Sequence, residues 1–143
     1  MYVATILKEK GTAIFTLGPS ASLMEAAAML TEKRIGSVVV LDEAGQLSGI
    51  LSERDIVSAV SGKGPEVLHH PVADFMSTKV FTCHSDETVD HLMELMTAER
   101  IRHVPVVENN NLIGLVSIGD VVKHRIAETE MEAEAMRQYI AAN

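Results

Sequence analysis

A short polar motif, Gly-x-x-Ser-x-x-Asp, occurs twice in this chain, at residues 49–55 and again at residues 114–120. Each copy stands where an apolar, strand-like run gives way to a helix-like run. Free N–H groups at a helix N-terminus bind phosphate, and a carboxylate can accept hydrogen bonds from both hydroxyls of a ribose. The motif therefore has the chemistry to bind a phosphorylated sugar. Its polar residues are Ser52, Asp55, Ser117 and Asp120.

The same motif also has a purely structural interpretation. A Ser at a strand-to-helix junction commonly caps the helix, and an acidic residue three positions later completes a capping box. Two features favour a ligand instead. The motif recurs with a glycine three residues before each Ser, where the missing side chain permits close approach to the backbone. Arg54 would also lie in the first helical turn, where a cation opposes the helix dipole unless an anion binds nearby.

The two copies of the motif follow segments of different charge. Gly36 and Ser37 in the first copy correspond to Arg102 and His103 in the second. Beside Arg100 they form a basic cluster in a chain whose formal net charge is −8, which favours an anion site over solvated side chains. We therefore expect two unequal clefts, one lined by small residues and one by cations. Phosphate should bind more tightly below about pH 6.5, where an unperturbed His gains its proton.

Both copies belong to a longer internal repeat with an offset of 66 positions. Residues 22–27 correspond to 88–93, and each opens a segment with apolar residues at the i, i+3, i+4 and i+7 positions of a buried helix face. Apolar runs at 38–41 and 104–107 predict strands covered on both faces. The predicted fold is α+β, with two pseudo-two-fold related β-α-β-β-α repeats and a C-terminal helix. Two such units would complete each other's core and leave a cleft along their axis.

The repeat predicts four segments along the chain. They are a first repeat at 3–63, a linker at 64–73, a second repeat at 74–128 and a C-terminal helical extension at 129–143. No helix breaker follows Ile118, so one helix is expected to run to about Ala142.

An apolar stripe runs along this last helix. Its residues alternate in spacing between four and three positions, as is typical of a coiled coil. Its members are Val122, Ile126, Thr129, Ala133, Met136 and Ile140. The stripe could pack on the chain's own body. Because the helix would project past the second repeat, we expect the stripe to meet a partner subunit, most simply in a homodimer.

Composition narrows the class of protein. A net charge of −8 argues against general nucleic-acid binding, which needs a basic face to displace counterions. The single cysteine, Cys83, excludes an intrachain disulfide and favours a reducing compartment. Neither a secretory leader nor an apolar run of about 20 residues is visible, so no membrane span is expected. We therefore expect a cytoplasmic protein.

Signals for catalysis and for metal binding are weak. The six His and one Cys do not fall into metal-ligand spacing, and no glycine loop of the Gly-x-Gly-x-x-Gly or Walker type occurs. No base–nucleophile pair accompanies the two Asp residues of the motif. The sequence therefore predicts neither an enzyme nor a metal site.

Three longer motifs make a family resemblance specific. They are Ser-Glu-Arg-Asp at 52–55, Arg-Ile-Arg-His-Val-Pro-Val at 100–106 and Ser-Ile-Gly-Asp at 117–120. With them the chain resembles the cystathionine-β-synthase (CBS) domain pair, or Bateman module, over residues 3 to about 128. It is most similar to small stand-alone bacterial members of that family.

The resemblance implies a regulatory module with two clefts for adenosine ligands such as AMP, ADP, ATP, S-adenosylmethionine, NAD or NADH. It implies that Asp55 and Asp120 bind ribose hydroxyls and that Ser52 and Ser117 bind phosphate. Backbone of two segments would frame the base and phosphate: Ile35, Gly36 and Ser37, and Ile101, Arg102 and His103. Flat homodimers are also implied, and the regulated protein is unknown. The alternative is a protein-interaction or dimerisation module whose nucleotide clefts are vestigial.

Overall fold

A computed structural model describes residues 1–11 and 13–142. Its helices are α1 (Val3–Lys10), α2 (Leu23–Lys33), α3 (Glu53–Lys63), α4 (Val89–Glu99) and α5 (Ile118–Ala142). Its strands are β1 (Thr16–Leu17), β2 (Ser37–Leu41), β3 (Leu47–Ser52), β4 (His103–Glu108) and β5 (Asn111–Ser117). Two 3₁₀ helices, Pro65–His69 and Val72–Asp74, lie between the repeats. The predicted α+β architecture with a C-terminal helix is confirmed.

The two sheets differ at their first strand. In the first repeat, β1 pairs parallel with β2, and β2 pairs antiparallel with β3. In the second repeat, β4 pairs antiparallel with β5. The β-prone segment at 80–83, which corresponds to β1 in the repeat, forms only a single parallel bridge, between Cys83 and Val106. Extending that ladder by one step would need an N–H from Pro105 to the carbonyl of Phe81. Proline has no N–H, so the pairing stops at Cys83.

Each repeat has its own apolar core. The core of one repeat is completed by residues of the segment that precedes the other repeat. Val3 of α1 lies in the second core and donates its N–H to the Glu87 carbonyl at 2.9 Å. Val72, between the repeats, lies in the first core and donates its N–H to the Ala21 carbonyl at 2.7 Å. A fully buried side chain of this size stabilises the fold by roughly 1.5–3 kcal/mol. The crossing segments therefore fix the position of one repeat against the other.

The glycines of the repeated motif make room for these crossing segments. A Cβ at Gly49 would lie 2.5 Å from Met76 Sδ and 2.9 Å from the Ser77 carbonyl oxygen. A Cβ at Gly114 would lie 2.5 Å from Leu7 Cδ2. The close approach that the glycines permit is thus made by the protein's own chain.

The C-terminal helix α5 is 25 residues long and leaves the body of the protein after its first turns. Val121 and His124 are buried, whereas every residue from 129 to 142 is exposed. Four members of the predicted stripe, Val122, Ile126, Met136 and Ile140, are between 48% and 66% exposed. The stripe therefore does not pack on the chain's own repeats. None of the described helices is both long and apolar enough to cross a membrane.

Candidate functional site

A cleft of about 790 Å³ opens between the two repeats. It is lined by the start of β2, the last residues of β3 and β5, the first turns of α3 and α5, and the segments 77–81 and 100–103. The predicted site residues that line it are Gly36, Ser37, Ser52, Arg54, Asp55, Ile101, Arg102, His103 and Ser117. Ile35 and Asp120 do not line it. The repeat thus brings both copies of the motif to one continuous cleft.

Both Ser residues of the motif cap their helices. Ser52 Oγ accepts a hydrogen bond from the Asp55 N–H at 3.2 Å, and Asp55 Oδ2 accepts one from the Ser52 N–H at 2.8 Å. Ser117 and Asp120 exchange the same pair of bonds, at 3.2 and 2.9 Å. The structural interpretation of the motif therefore holds in both copies. A ligand role has to rest on the other groups that face the cleft.

Asp55 and Asp120 differ in what else they bind. Asp55 faces the cleft, and no ion pair to it occurs in the part of the chain that the structure describes. Asp120 Oδ2 accepts a hydrogen bond from Lys10 Nζ at 2.6 Å, and the same ammonium donates to the Leu115 carbonyl at 2.6 Å. Partial burial would raise the pKa of Asp120, but hydrogen bonds from Lys10 and Ser117 hold it below its usual range.

No local sequence pattern indicates the role of Lys10. Lys10 ends α1, far along the chain from Asp120, and reaches it only because α1 packs on the second repeat. The recurrence of the motif predicted equivalent Asp residues. The structure separates them: one is accessible from the cleft, and the other is neutralised by a lysine.

Four cations line the cleft, which is an unusual concentration in a chain of net charge −8. They are Arg54, Lys79, Arg100 and Arg102. None of the four forms an ion pair with any described residue. Lys79 Nζ lies 5.4 Å from the centre of the Phe81 ring. Like charges held in one cleft repel each other, and a bound anion would relieve that repulsion. The predicted basic cluster is thus present, and Lys79 adds to it.

His103 differs from the expectation of an ordinary, solvated imidazole. Burial lowers its pKa below 6.5, and the nearby charges of Lys10 and Arg102 lower it further, against the opposing effect of Asp120 and Glu53. His103 is therefore neutral at pH 7. Its protonation requires a more acidic solution than the sequence alone predicts.

Ser37 lines the cleft and carries a hydroxyl that is buried and unpaired among the described residues. The residue is 1% exposed, and its Oγ has no hydrogen-bond partner among the described residues. Leaving a buried hydroxyl unpaired costs about 1–3 kcal/mol. A ligand atom that supplied the missing bond would recover part of that energy.

Other chemistry has little support in this structure. Within residues 1–11 and 13–142, no group of three or more His, Cys, Asp or Glu side chains is placed to hold a metal ion. The Cys83 thiol is buried, and burial raises its pKa to about 12, so little thiolate forms near neutral pH. Cys83 therefore serves the second core as a small apolar side chain.

The sequence model of the CBS domain family matches the chain twice, at residues 11–62 and 72–127. The chain belongs to the CBS domain family. Among curated relatives, the CBS domain-containing protein YhcV of Bacillus subtilis is 29% identical over 116 residues, which is 81% of each chain. The mitochondrial protein CBSX3 of Arabidopsis thaliana is 34% identical over 123 residues, and the match spans 60% of its length.

Solved structures of CBS domain proteins share the fold. A CBS-domain containing protein from Agrobacterium tumefaciens is 47% identical, with a TM-score of 0.85 over 87% of this chain and 99% of that one. The CBS domain pair of protein MJ0100, solved with 5′-methylthioadenosine and S-adenosyl-L-methionine, is 29% identical with a TM-score of 0.80, over 90% and 98% of the two chains. A CBS domain protein from Pyrobaculum aerophilum, complexed with AMP, is 28% identical with a TM-score of 0.75, over 84% and 89%.

Proposed function

We propose that this CBS domain pair is a regulatory module that binds an adenine nucleotide, AMP, ATP or NAD(H), in the cleft between its repeats. The observation that carries the proposal is the cleft itself. It combines two helix N-termini, four cations that form no ion pair with the described residues and a buried hydroxyl that those residues leave unpaired, in a chain of net charge −8. Those groups suit an anion with additional hydrogen-bonding atoms, as a nucleotide has.

The proposed roles follow the chemistry of each group. Asp55 uses one carboxylate oxygen in the helix cap, and its other oxygen is free to accept a ribose hydroxyl. Arg54 and Arg102 lie beside the helix N-termini and bind phosphate. The Ser52 hydroxyl can donate to that phosphate, and the Ser117 hydroxyl, which here donates to Asp120 Oδ2 at 3.0 Å, can do so once it leaves that bond. Ser37 supplies a further hydroxyl.

Two backbone segments complete the proposed site. Ile35 to Ser37 and Ile101 to His103 enter the second strand of each repeat and would frame the base. Ile35 packs against the first core, so only its backbone is offered to a ligand. Asp120 becomes a ribose ligand once Lys10 releases it.

Relatives support an adenosine ligand. The ligands of the two solved neighbours, AMP in one and methylthioadenosine with S-adenosylmethionine in the other, all contain adenosine. Adenosine is therefore the group that this chain is expected to recognise. The cationic cleft favours a phosphorylated form of it over a neutral or cationic one.

The proposed function is regulatory and not catalytic. In the described part of the chain, the acidic and basic groups that line the cleft are Asp55, which is engaged in a helix cap, Glu53, four cations and the neutral imidazole of His103. Such a set binds an anion but supplies no nucleophile paired with a base. The signal would pass to an unidentified protein in the cytoplasm.

We extend the proposal to a homodimer in which α5 takes part. Its exposed stripe includes Ile126 at 55%, Met136 at 59% and Ile140 at 66%, and an apolar stripe of this length on a projecting helix favours association. The same stripe supports the alternative function, a protein-interaction module whose cleft binds no nucleotide. The two functions are distinguished by ligand binding.

Isothermal titration of AMP, ATP, NAD⁺, NADH and S-adenosylmethionine into the full chain tests the proposal. We expect saturable binding of at least one phosphorylated ligand, weakened about tenfold or more by Arg102→Gln, because a hydrogen bond to a charged group is lost. The matched control is Arg137→Gln, on the exposed part of α5, which should bind like the wild type. Failure of every adenine ligand to bind would leave the interaction module as the function.

A further inference from the structure

Lys10 and Lys79 occupy corresponding places in the two halves of the molecule. Leu7 fills the notch left by Gly114, and Met76 fills the notch left by Gly49. Lys10 follows Leu7 by three residues, and Lys79 follows Met76 by three residues. Each crossing segment therefore brings one lysine toward the motif of the opposite repeat.

The two lysines are nevertheless in different states. Lys79 lines the cleft and forms no ion pair with the described residues. Lys10 Nζ lies 2.6 Å from Asp120 Oδ2 and 2.6 Å from the Leu115 carbonyl oxygen. The carboxylate that would accept a ribose hydroxyl in the second half therefore already holds an ammonium group, whereas Asp55 in the first half holds none.

The ammonium of Lys10 is also close to where a phosphate would bind. The Asp120 oxygen that accepts from Lys10 accepts from the Ser117 N–H at 2.9 Å, at the N-terminus of α5. After burial, Lys10 is the largest influence that lowers the pKa of His103, a residue of the cleft wall. The lysine side chain is partly exposed, at 34%.

We propose that Lys10 is a specificity-determining residue, which makes the Asp120 half of the cleft select phosphorylated adenosine ligands over the neutral nucleoside. The inference rests on the proposed function. A ribose that binds Asp120 has to displace the Lys10 ammonium from the carboxylate. A neutral nucleoside offers that ammonium no new partner, whereas a phosphate at the α5 N-terminus accepts it.

The first half works differently in this respect. Asp55 holds no lysine, so a ribose can bind it without displacing a cation. A neutral nucleoside is therefore expected to bind the Asp55 half and to avoid the Asp120 half. A nucleotide can bind both halves of the cleft. The two halves therefore differ in their affinity for a neutral nucleoside, and the cause is Lys10, which lies outside the repeated motif.

The test measures affinities for AMP and for adenosine by isothermal titration, in the full-length wild type and in Lys10→Met. Removing the ammonium frees Asp120 while taking away a phosphate partner. The AMP-to-adenosine affinity ratio in the Asp120 half should fall by about tenfold or more, with adenosine binding gained in that half. Lys10→Arg keeps the charge and should retain the wild-type ratio. Lys8→Met, which removes an exposed cation from the same helix, should retain it as well.

Each alternative result has a separate meaning. An unchanged ratio in Lys10→Met, or the same fall in Lys10→Arg, would overturn the role of Lys10 while leaving nucleotide binding intact. Absence of binding of AMP to the wild type would overturn the proposed function and this inference with it. Lys10→Gln provides a second neutral side chain should the Met variant unfold below the titration temperature, and the same change in ratio is expected of it.

Discussion

His103 reaches from the second repeat to Gly36 of the first, so closely that a Cβ at Gly36 would lie 3.1 Å from His103 Nε2. The two residues stand at neighbouring positions of the repeat, since Gly36 corresponds to Arg102 and Ser37 to His103. The small residue in one copy therefore accommodates the large residue of the other. The asymmetry of the sequence is a packing relationship as well as a difference in charge.

The low pKa of His103 predicts the pH dependence of stability. The folded chain holds His103 neutral at pH values where the unfolded chain protonates it, so the unfolded state binds more protons. The contribution of neutral His103 to folding stability is fully present above pH 6.5, the ordinary pKa of histidine. It is lost as the pH falls toward the lower pKa that His103 has in the folded chain. Urea unfolding at several pH values should show this loss in the wild type and a smaller one in His103→Gln.

The same residue predicts how AMP binding responds to pH. A bound phosphate favours the protonated imidazole, so AMP affinity attributable to His103 should rise as the pH falls below 6.5. AMP's own phosphate also titrates near pH 6. The informative quantity is therefore the difference between the wild type and His103→Gln, measured by titration calorimetry. A constant difference from pH 7.5 to 5.5 would show that His103 does not meet the phosphate.

Asp55→Asn separates the ligand role of the motif from its capping role. The amide oxygen of Asn can still accept the hydrogen bond from the Ser52 N–H, but the free carboxylate oxygen for the ribose is lost. Nucleotide binding should weaken by roughly 1.5–3 kcal/mol, with little change in the unfolding midpoint. Asp42→Asn is the matched control, because Asp42 also accepts a backbone N–H but lies outside the cleft. Equal nucleotide affinity in both variants would leave Asp55 with a capping role alone.

Local sequence patterns predicted the local structure well. The helix expected to open at residues 22–27 is α2, at whose start Ser22 Oγ accepts a hydrogen bond from the Glu25 N–H at 3.1 Å. Helix α5 runs to Ala142, as the absence of a helix breaker indicated. Such features depend on residues within a few positions of each other. The repeat predicted a cleft along its axis, and the resemblance implied two adenosine clefts. The structure instead brings residues of both motif copies to one continuous cleft.

What the sequence could not predict depends on contacts between distant segments. The pairing of Lys10 with Asp120 spans 110 positions and exists only because α1 crosses to the second repeat. The low pKa of His103 results from that crossing and from burial. The domain limits at 63, 74 and 128 stay predictions, although α1 packs with the second core and the linker residue Val72 with the first. The periodicity of apolar residues shows which face of a helix or strand is buried. It does not show which other segment packs against that face.

Gly49→Ala tests whether the crossing segments hold the two repeats together. The new Cβ would lie 2.5 Å from Met76 Sδ and 2.9 Å from the Ser77 carbonyl, so backbone has to shift. Overpacking of this kind costs typically about 1–3 kcal/mol of unfolding free energy. Chemical denaturation measures the loss.

Gly62→Ala is the control for that substitution. Gly62 lies within α3, and a Cβ there meets nothing within 4 Å. The change should stabilise the protein by roughly 0.5–1 kcal/mol, because alanine loses less conformational freedom on folding. Destabilisation of similar size by both substitutions would show that the Gly49 notch carries no special packing.

Removal of residues 129–143 tests the homodimer and the part of α5 in it. The removed segment is exposed over all its described residues and carries Met136 and Ile140 of the stripe, together with the acidic side chains of Glu130, Glu132 and Glu134. Because residues 129–142 are all exposed in a single chain, we expect another chain to bury the apolar surface of this segment. We expect light scattering at micromolar concentration to give a dimer for the full chain and a weaker dimer for the truncated one.

Nucleotide binding provides the internal control for the truncation. The cleft lies within the repeats, and its α5 contribution ends at the first turn, so the shortened chain should bind AMP with unchanged affinity. Met136→Ser and Ile140→Ser together should weaken the dimer as the truncation does, since they remove apolar area without shortening the helix. A full-length chain that scatters as a monomer with and without AMP would contradict the homodimer. The stripe would then be the docking site for a different protein, to which the nucleotide signal passes.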